Sequence, residues 1–488
     1  MEELPDDALL RVLRFVDVPS LLTCRLVCKR LRDLALHADA WRHREFGGGL
    51  VEYVGSYCCM CPVLRLAPCL RVLRDPTCVP RPANTCRSAA LAWTSCAAAE
   101  LRLYVKDDTD AGTAAVAILR QEALGRLRRV ELVLAHGPLL QVSDTMACVL
   151  LATVASTRGL DTIKFPSFSL DDSSVQIAAS LSLGGATPTP SVKHFECGYL
   201  NETFLKFILT AHSATLETVR LNLGVSGMSC TYIAPLLAGL PNLRELSCWN
   251  LPGLEAVAAC ASLRDLTLTI SSLRRHRRGA AAARTAAFLS RAVQLRELTL
   301  RYGPINLTAS VSGARVGADA IRALASTGRS RLETLFLIAF DSEGEQSHAA
   351  QVQALIDALP SLPALRELRT YLNVKQENDA LVLSITPTTA PALQRVQLGL
   401  ADDLCVHAWF HGDAFKTVMA RNPLLHFNLY GKTIYCFKKT CPSCARGCHS
   451  VLAEWGRIYY VFCHDSDEKC PTNHKTRTHF FIHWVHND

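Results

Sequence analysis

Apolar residues recur along most of this chain in a short pattern of the form L-x-x-L-x-L. The apolar fourth and sixth positions alternate with fifth and seventh positions that are mostly polar, which is the period of a strand with one buried face. The frames begin at Ala98, Leu127, Leu160, Val192, Leu216, Leu243, Leu263, Leu295, Leu332, Leu365, Leu393 and Leu424. The pattern therefore predicts a repeated strand unit over residues 98–431.

Several segments between the frames have the apolar period of a helix. Residues 317–325 place Ile321 and Leu324 on one face, and a second stripe is formed by Val352, Leu355, Ile356 and Leu359. A single strand and helix cannot bury both apolar faces, so stacked units predict an α/β solenoid with a parallel sheet on its concave side. The alternative, an open doubly wound sheet, would carry a glycine-rich phosphate loop after a strand, and the sequence has none.

Residues 1–46 have the pattern of three short helices. In the first helix, apolar residues follow the spacing i, i+3, i+4 and i+7 at Leu9, Val12, Leu13 and Val16. Pro19 is expected to end this helix, and Ser20 to cap the next one. So short a segment buries little apolar surface by itself, and part of that surface is expected to face a partner. The alternative is an ordinary helical cap on the domain that follows.

The same segment resembles an F-box. The resemblance rests on the opening Leu4-Pro5-Asp6-Asp7, the break at Pro19-Ser20, the run from Val27 to Leu31 and the closing Trp41. It implies docking to the Skp-type adaptor of a cullin ubiquitin ligase. The apolar contact positions of the family correspond here to Leu4, Pro5, Leu9, Leu13, Leu22, Val27, Leu31 and Trp41. The frames that follow resemble the leucine-rich repeats of one large class of F-box proteins.

This double resemblance implies the substrate-recognition subunit of an SCF-type ubiquitin ligase, with the F-box on the adaptor and the repeats on a target protein. Such a receptor is not an enzyme, and the sequence has no G-x-S-x-G, P-loop or H-E-x-x-H motif. Two alternatives stay open. One is an F-box scaffold that binds the adaptor or other proteins without directing ubiquitylation, and the other is an enzyme whose site assembles from distant residues.

The fifth and seventh positions of the frames are predicted to form two columns on the concave sheet. The arginine and aromatic residues in these columns are candidates for target binding, because such residues are enriched at binding hot spots. They are Arg220, Trp249, Arg301, Phe336, Arg369, Tyr371 and Tyr430. We expect the middle to late repeats to hold the target, with an acidic or phosphorylated segment meeting Arg301 and Arg369.

The composition, 49% apolar and 20% charged residues, favours a folded protein over a disordered one. No apolar run approaches the ~20 residues that span a bilayer, and the acidic start at Met1-Glu2-Glu3 lacks the basic segment of a signal peptide. We therefore expect a cytoplasmic or nuclear protein without a membrane partner. Its 21 cysteines are expected to be mostly reduced thiols.

The net charge of +8 is modest, and its densest basic cluster is Arg274-Arg275-His276-Arg277-Arg278. This cluster is typical of nuclear-localisation or phosphate-binding patches. A solvated loop before a helix that starts near Thr285 is the favoured interpretation. Nucleic acid is therefore not an expected partner.

Two segments outside the frames are rich in cysteine. Residues 47–97 lack paired zinc-ligand motifs and are expected to form an irregular connection between the F-box and the first repeat. Residues 432–488 form the predicted Cys/His-rich C-terminal cap, in which a structural zinc would bind through Cys441, Cys444, Cys463 and Cys470. The alternative for this cap is a plain β-hairpin of residues 458–462 and 480–485. A RING-type module is excluded because a second C-x-x-C pair is missing.

Overall fold

The computed structural model describes residues 4–47, 61–74, 85–135, 141–166, 189–198, 202–221, 231–271, 278–303, 313–339, 349–371, 377–400, 409, 412–431, 458–462 and 480–483. The chain forms two compact units, Met1–Gly224 and Val225–Asp488. In each unit, parallel strands alternate with helices, and the last strands of the second unit depart from this pattern.

The first unit begins with four short helices, α1 to α4, at Asp6–Leu13, Val18–Cys24, Lys29–Ala35 and Ala38–Trp41. Its strands β1 to β7 are Glu45–Phe46, Cys69–Arg74, Ala97–Val105, Arg129–Leu134, Thr162–Phe165, His194–Cys197 and Thr218–Leu221. The helices among them are Cys61–Leu66, Thr85–Trp93, Asp108–Ala123, Asp144–Ser156 and Glu202–Ala211. Each strand pairs in parallel with the next, from β1 to β7.

The second unit continues the same alternation. Its strands β8 to β16 are Glu245–Trp249, Asp265–Ser271, Glu297–Gly303, Thr334–Ala339, Glu367–Tyr371, Arg395–Leu400, His426–Gly431, Ile458–Phe462 and Phe480–His483. The α-helices are Ile233–Ala238, Arg278–Leu289, Gly313–Ala325, Ala349–Ala358, Glu377–Ser384 and Asp413–Arg421, with 3-10 helices at Leu254–Ala259 and Leu359–Ser361. Strands β8 to β14 pair in parallel in chain order.

The strand register confirms the repeat pattern. Leu298 of β10 pairs with Leu266 on one side and with Leu335 on the other, so equivalent frame positions stand next to each other. The side chains of the fourth and sixth positions are buried along both sheets, as alternation in a strand requires. The last frame departs from the pattern at its first position only, where Leu424 is 58% exposed and the next residue, Leu425, is buried. The predicted frame is nevertheless confirmed at its fourth and sixth positions, because Phe427 and Leu429 pair with Val396 and Leu398 of the preceding frame.

The helix faces are confirmed at Ile321, Leu324, Val352 and Leu355, which are buried. The predicted helix start near Thr285 is wrong, because this helix already begins at Arg278, the last residue of the basic cluster. The run of alanines over residues 280–283 explains the early start, since alanine has the highest helix propensity. Residues 274–277 lie outside the described residues.

The connecting segment over residues 47–97 is more regular than the sequence indicates. Strand β2 joins the sheet between β1 and β3, and Cys69 and Cys96 are buried as free thiols. Cys61, in the helix before β2, is disulfide-bonded. The described part of this segment is thus another strand–helix unit, not an irregular cap.

The two strands predicted near the C-terminus are present as β15 and β16. Strand β15 pairs antiparallel with β14, whereas β16 pairs in parallel with β15. A hairpin joins antiparallel neighbours, and parallel neighbours need a longer crossover. The hairpin interpretation is therefore wrong.

Gln121 fixes one helix of the first unit to the edge of β3. Its buried side chain accepts a hydrogen bond from the Ala98 backbone N–H at 2.7 Å and donates one to the Cys96 carbonyl at 2.9 Å. We predict that Gln121→Leu lowers the free energy of unfolding by about 2 kcal/mol or more, because both backbone groups lose their partner in a buried place. Urea denaturation measures this loss, and a change within error would contradict the assigned role.

Candidate adaptor and target surfaces

The four N-terminal helices enclose a small core of their own. The side chains of Leu9, Leu13, Leu21, Leu34 and Trp41 are buried. The Trp41 indole N–H also donates a hydrogen bond of 2.6 Å to the Ala35 carbonyl. These contacts fix the relative positions of α1, α3 and α4.

Two arginines connect the helices of this core through hydrogen bonds to backbone carbonyls. Arg30, at the start of α3, pairs with Asp6 at 2.7 Å and donates to the Leu4 carbonyl, which places the N-terminal residues of α1 beside α3. Arg44 donates to the carbonyls of Leu13 and Ala40 at 2.5 and 2.6 Å. Burial lowers the pKa of Arg44, but an arginine remains charged at neutral pH.

The start of α2 differs from the sequence interpretation. The first helix ends at Leu13, before Pro19, and Pro19 lies in the first turn of α2. The cap is Asp17, whose carboxylate accepts from the Ser20 backbone N–H at 2.7 Å. This hydrogen bond and a second one from the Ser20 hydroxyl lower the pKa of Asp17. Proline suits the first turn of a helix because that turn leaves its N–H groups unpaired.

The predicted adaptor residues divide into an exposed group and a supporting group. Leu4 and Val27 are 45% and 69% exposed, and Pro5 is exposed as well. Leu22 and Leu31 are half-buried. The supporting group is buried and consists of Leu9, Leu13 and Trp41.

Three further apolar residues belong to the exposed group and were missed as contact candidates. Phe15 is 90% exposed, Leu26 is 76% exposed and Val12 is 56% exposed. Helical spacing placed Val12 on the same face as the buried Leu9 and Leu13, whereas Phe15 and Leu26 do not belong to that stripe. So much exposed apolar side chain on so small a module indicates a protein-binding surface.

The module is attached to the sheet behind it. Strand β1 follows directly from α4 and pairs with β2, where Glu45 forms ion pairs with Arg71 and Arg74. The Cys69 thiol contacts the Ala38 carbonyl at 3.6 Å. The helices and the first repeat strands therefore form one continuous body within the first unit.

Three of the predicted target-binding residues are in contact on strands β11 and β12 of the second unit. The rings of Phe336 and Tyr371 pack edge to face at 5.3 Å, and the Arg369 guanidinium lies 5.9 Å from the Phe336 ring centre. The Tyr371 hydroxyl accepts a hydrogen bond from the Gln397 amide. Gly399 leaves room for the Tyr371 ring, since a Cβ there would lie 3.2 Å from its Cδ1 atom. We call Phe336, Arg369 and Tyr371 the aromatic shelf.

Arg369 is already paired inside the protein. Its Nε atom lies 2.8 Å from the Glu367 carboxylate, which also lies 3.3 Å from Arg395. Burial acts to raise the pKa of Glu367, but the hydrogen bond and charge of Arg369 outweigh it and lower the pKa. The same pairing raises the pKa of Arg369. Its charge is thus largely balanced before any target arrives.

The other predicted target-binding residues do not join the shelf. Trp249 and Arg301 share the seventh-position column of β8 to β10, with Thr269 between them. Arg220 lies on β7, in the first unit, and is exposed. Tyr430 pairs with Gly399 in the strand register, and its side chain lies outside the described residues.

The fifth-position column of the first unit carries alternating charges. From β3 to β7 the register aligns Arg102, Glu131, Lys164, Glu196 and Arg220. Arg102 pairs with Glu131 at 3.3 Å and Lys164 with Glu196 at 3.6 Å. Opposite charges on neighbouring strands stabilise the sheet, so this face is neutralised by its own side chains.

Buried thiols and a buried histidine belong to the core. Burial raises the pKa of Cys96 and Cys248 to about 12 and raises that of Cys197 further, so these thiols stay protonated and unreactive. Burial also lowers the pKa of His212. Within the described ranges, no three His, Cys, Asp or Glu side chains are grouped to hold a metal ion. Nor do those ranges contain a helix whose length and apolar character would let it span a bilayer.

The predicted zinc ligands Cys441, Cys444, Cys463 and Cys470 lie outside the described residues. The structural zinc of the C-terminal cap therefore stays a prediction.

Comparison with known proteins bears on the N-terminal module. Residues 1–46 match the F-box-like family. The first 46 residues are an F-box-like domain. No curated protein matches the chain. Among solved structures, the chain is similar to one described as "Crystal structure of TLR13-ssRNA13 complex", with 13% identity and a TM-score of 0.29. That alignment covers 75% of this chain and 57% of the solved chain, so this chain spans less than two thirds of its length.

Proposed function

We propose that this chain is the substrate-recognition subunit of an SCF-type ubiquitin ligase. The observation that carries the proposal is the F-box-like domain with its exposed apolar side chains at Leu4, Phe15, Leu26 and Val27. Such domains generally bind Skp-type adaptors, and the exposed residues supply the apolar area that an adaptor would cover.

The repeat units are suited to the second part of the proposed role, which is binding of the target protein. A parallel sheet built from stacked frames presents long rows of side chains on one face, and such a surface can hold a protein segment. A receptor of this kind supplies proximity, because it brings a target lysine to a ubiquitin-charged enzyme at high effective concentration. This role requires no chemistry by the chain itself. We propose that it acts in the cytoplasm or the nucleus.

The experiment is purification of the tagged full chain from cells, followed by quantification of the co-purifying adaptor and cullin. A receptor is expected to recover both in comparable amounts. The scaffold alternative predicts adaptor without cullin. Recovery of neither protein would overturn the proposal.

A further inference from the structure

Three neighbouring helices of the first unit share an outward surface without charge. Counted on from α4, the helices Cys61–Leu66, Thr85–Trp93, Asp108–Ala123 and Asp144–Ser156 are α5 to α8. Helix α7 packs between α6 and α8. Among the described residues of these three helices, one outward stripe at helical spacing is formed on each. The stripes are Ala89 and Trp93 on α6, Thr109, Gly112, Val116, Leu119 and Ala123 on α7, and Thr145, Val149, Ala152 and Ser156 on α8. We call these residues the outer face.

Charged side chains of α7 connect it to α8 at both ends. The Asp108 carboxylate accepts a hydrogen bond from the Ser143 backbone N–H at 2.6 Å, at the start of both helices. The Glu122 carboxylate accepts one from the Arg158 backbone N–H at 2.7 Å, beyond the end of α8. These bonds hold the two helices side by side. They also keep the carboxylates at the rim, so the middle of the outer face stays apolar.

Arg120 connects α7 to α6 and places a tryptophan at the edge of the outer face. Its Nε atom donates to the Thr94 carbonyl at 2.7 Å. The residue before Thr94 is Trp93, which is 84% exposed. Leu119 projects outward in the same part of α7 and is exposed as well. Tryptophan is among the residues most enriched at binding hot spots, so this edge is suited to contact with a protein.

Helices of the second unit carry charge on the side that faces water. Helix Gly313–Ala325 exposes Asp319 and Arg322, and helix Ala349–Ala358 exposes Asp357. A charged or polar stripe is usual on the side of a helix that lies away from the core. The described outward residues of α6 to α8 lack such charges and include an exposed tryptophan. This difference within one chain indicates a protein-binding surface on α6 to α8.

The outer face has the area of a small dimer interface. Helices α6, α7 and α8 have 9, 16 and 13 residues. A rise of 1.5 Å per residue and a helix spacing of about 10 Å give a face of roughly 600 Å². Stable interfaces bury about 600 to 1,000 Å² per partner. The face therefore reaches the lower end of this range, where association is reversible.

Electrostatics favours a second copy of this chain as the partner. The net charge of +8 makes two copies repel each other at long range. A two-fold interface brings the same patch of both copies together, so a charged residue near the axis meets its own charge. A face without charge avoids this cost. Val116 lies in the middle of α7 and would stand near such an axis.

We propose that the outer face is the interface of a homodimer, in which the α6 to α8 faces of two copies pack on each other. The apolar side chains of Trp93, Val116, Leu119 and Val149 form its centre. The inference goes beyond the proposed function and does not depend on it. Such a dimer carries two F-box-like domains and two sets of repeat strands.

The test measures the mass of the purified full chain by sedimentation equilibrium across micromolar concentrations. The mass is expected to rise with concentration toward that of two copies. Trp93 supplies a second measurement, because burial of an exposed indole shifts its fluorescence to shorter wavelength. This shift should accompany the rise in mass, and it should be absent in Trp93→Phe.

The variant Val116→Glu with Val149→Glu is expected to stay monomeric, because it places like charges on both copies. Glutamate has a higher helix propensity than valine, so Tm of the dilute chain should not fall. Trp93→Ala should weaken the dimer about tenfold or more. Val116→Leu with Val149→Leu keeps the face apolar and should retain the dimer. The matched control Val293→Glu with Leu383→Glu adds the same charge at exposed apolar positions of the second unit and should also retain it.

Two results would overturn the inference. One is a wild-type chain that stays monomeric across the concentration range, which would leave the outer face to a different protein. The other is a dimer that survives in Val116→Glu with Val149→Glu and is lost in Phe15→Glu, which would place self-association on the F-box-like domain. Recovery of adaptor and cullin does not depend on either result, so the proposed function fails or survives separately.

Discussion

Simultaneous replacement of Leu4 and Pro5 by alanine is expected to abolish adaptor binding. Both residues are exposed, and the bond from Arg30 to the Leu4 carbonyl fixes them beside α3. Truncating an interface hot spot costs upward of ~2 kcal/mol, so losing two contacts should lower affinity by at least about a hundredfold. Isothermal titration with purified adaptor measures the change.

A matched control is available on the first unit. Val116 and Leu119 are 47% and 49% exposed on the helix Asp108–Ala123, away from the F-box-like domain in sequence. Their double alanine variant removes a similar exposed area and should bind the adaptor like the wild type. Equal affinity of the Leu4/Pro5 variant and this control would refute the assignment of the adaptor surface.

Trp41→Ala is expected to unfold the N-terminal helices while the repeat sheets stay folded. The side chain is fully buried, and its indole N–H anchors the Ala35 carbonyl. Removing a buried tryptophan costs about 3–5 kcal/mol, which a module of this size cannot absorb. Hydrogen exchange should show that amides of residues 4–47 lose protection while those of β8 to β14 keep theirs.

Trp41→Phe is a milder substitution that tests the same structural role of Trp41. It keeps most of the apolar volume and removes the indole donor, so a smaller loss of protection is expected than for alanine. Unchanged protection in Trp41→Ala would show that the tryptophan does not hold the four helices together.

One part of the pH dependence of the second unit is expected to follow from Asp265 and Glu297, which stand opposite each other on β9 and β10. The raised pKa values of Asp265 and Glu297 mean that the folded state holds protons more tightly than the unfolded state. The contribution of these groups to stability is therefore greatest at acid pH and falls as pH rises from their ordinary values through the raised ones. Asp265→Asn with Glu297→Gln should flatten this part of the stability profile, and an unaltered profile would contradict the electrostatic account.

The repeat strands could be predicted from sequence because burial in a strand has a period of two, which local spacing reveals. The same reasoning failed for one side chain, because spacing alone does not show which of the adjacent Leu424 and Leu425 is buried. It also failed for β15 and β16, whose parallel pairing depends on contacts between residues that are distant in sequence. The N-cap of α2 was assigned to Ser20 instead of Asp17, because both residue types are good caps. Only the backbone geometry shows that the Asp17 side chain accepts the hydrogen bond.

The placement of some candidate target residues on the sheet could be predicted, while target binding itself stays a prediction. The fifth and seventh columns correctly brought Phe336, Arg369 and Tyr371 into contact. The occupied state of Arg369 could not be foreseen, because it depends on the distance between side chains on adjacent strands.

The central claim is that the F-box-like domain delivers proteins held by the repeat sheets to a ubiquitin ligase. The most direct measurement is quantitative mass spectrometry of ubiquitin-modified lysines on proteins that cross-link to the chain in cells, compared between the wild type and the Leu4→Ala, Pro5→Ala variant. The account predicts that the variant still cross-links to the same proteins and that their ubiquitin modification falls. Equal modification of these proteins in both samples would contradict it.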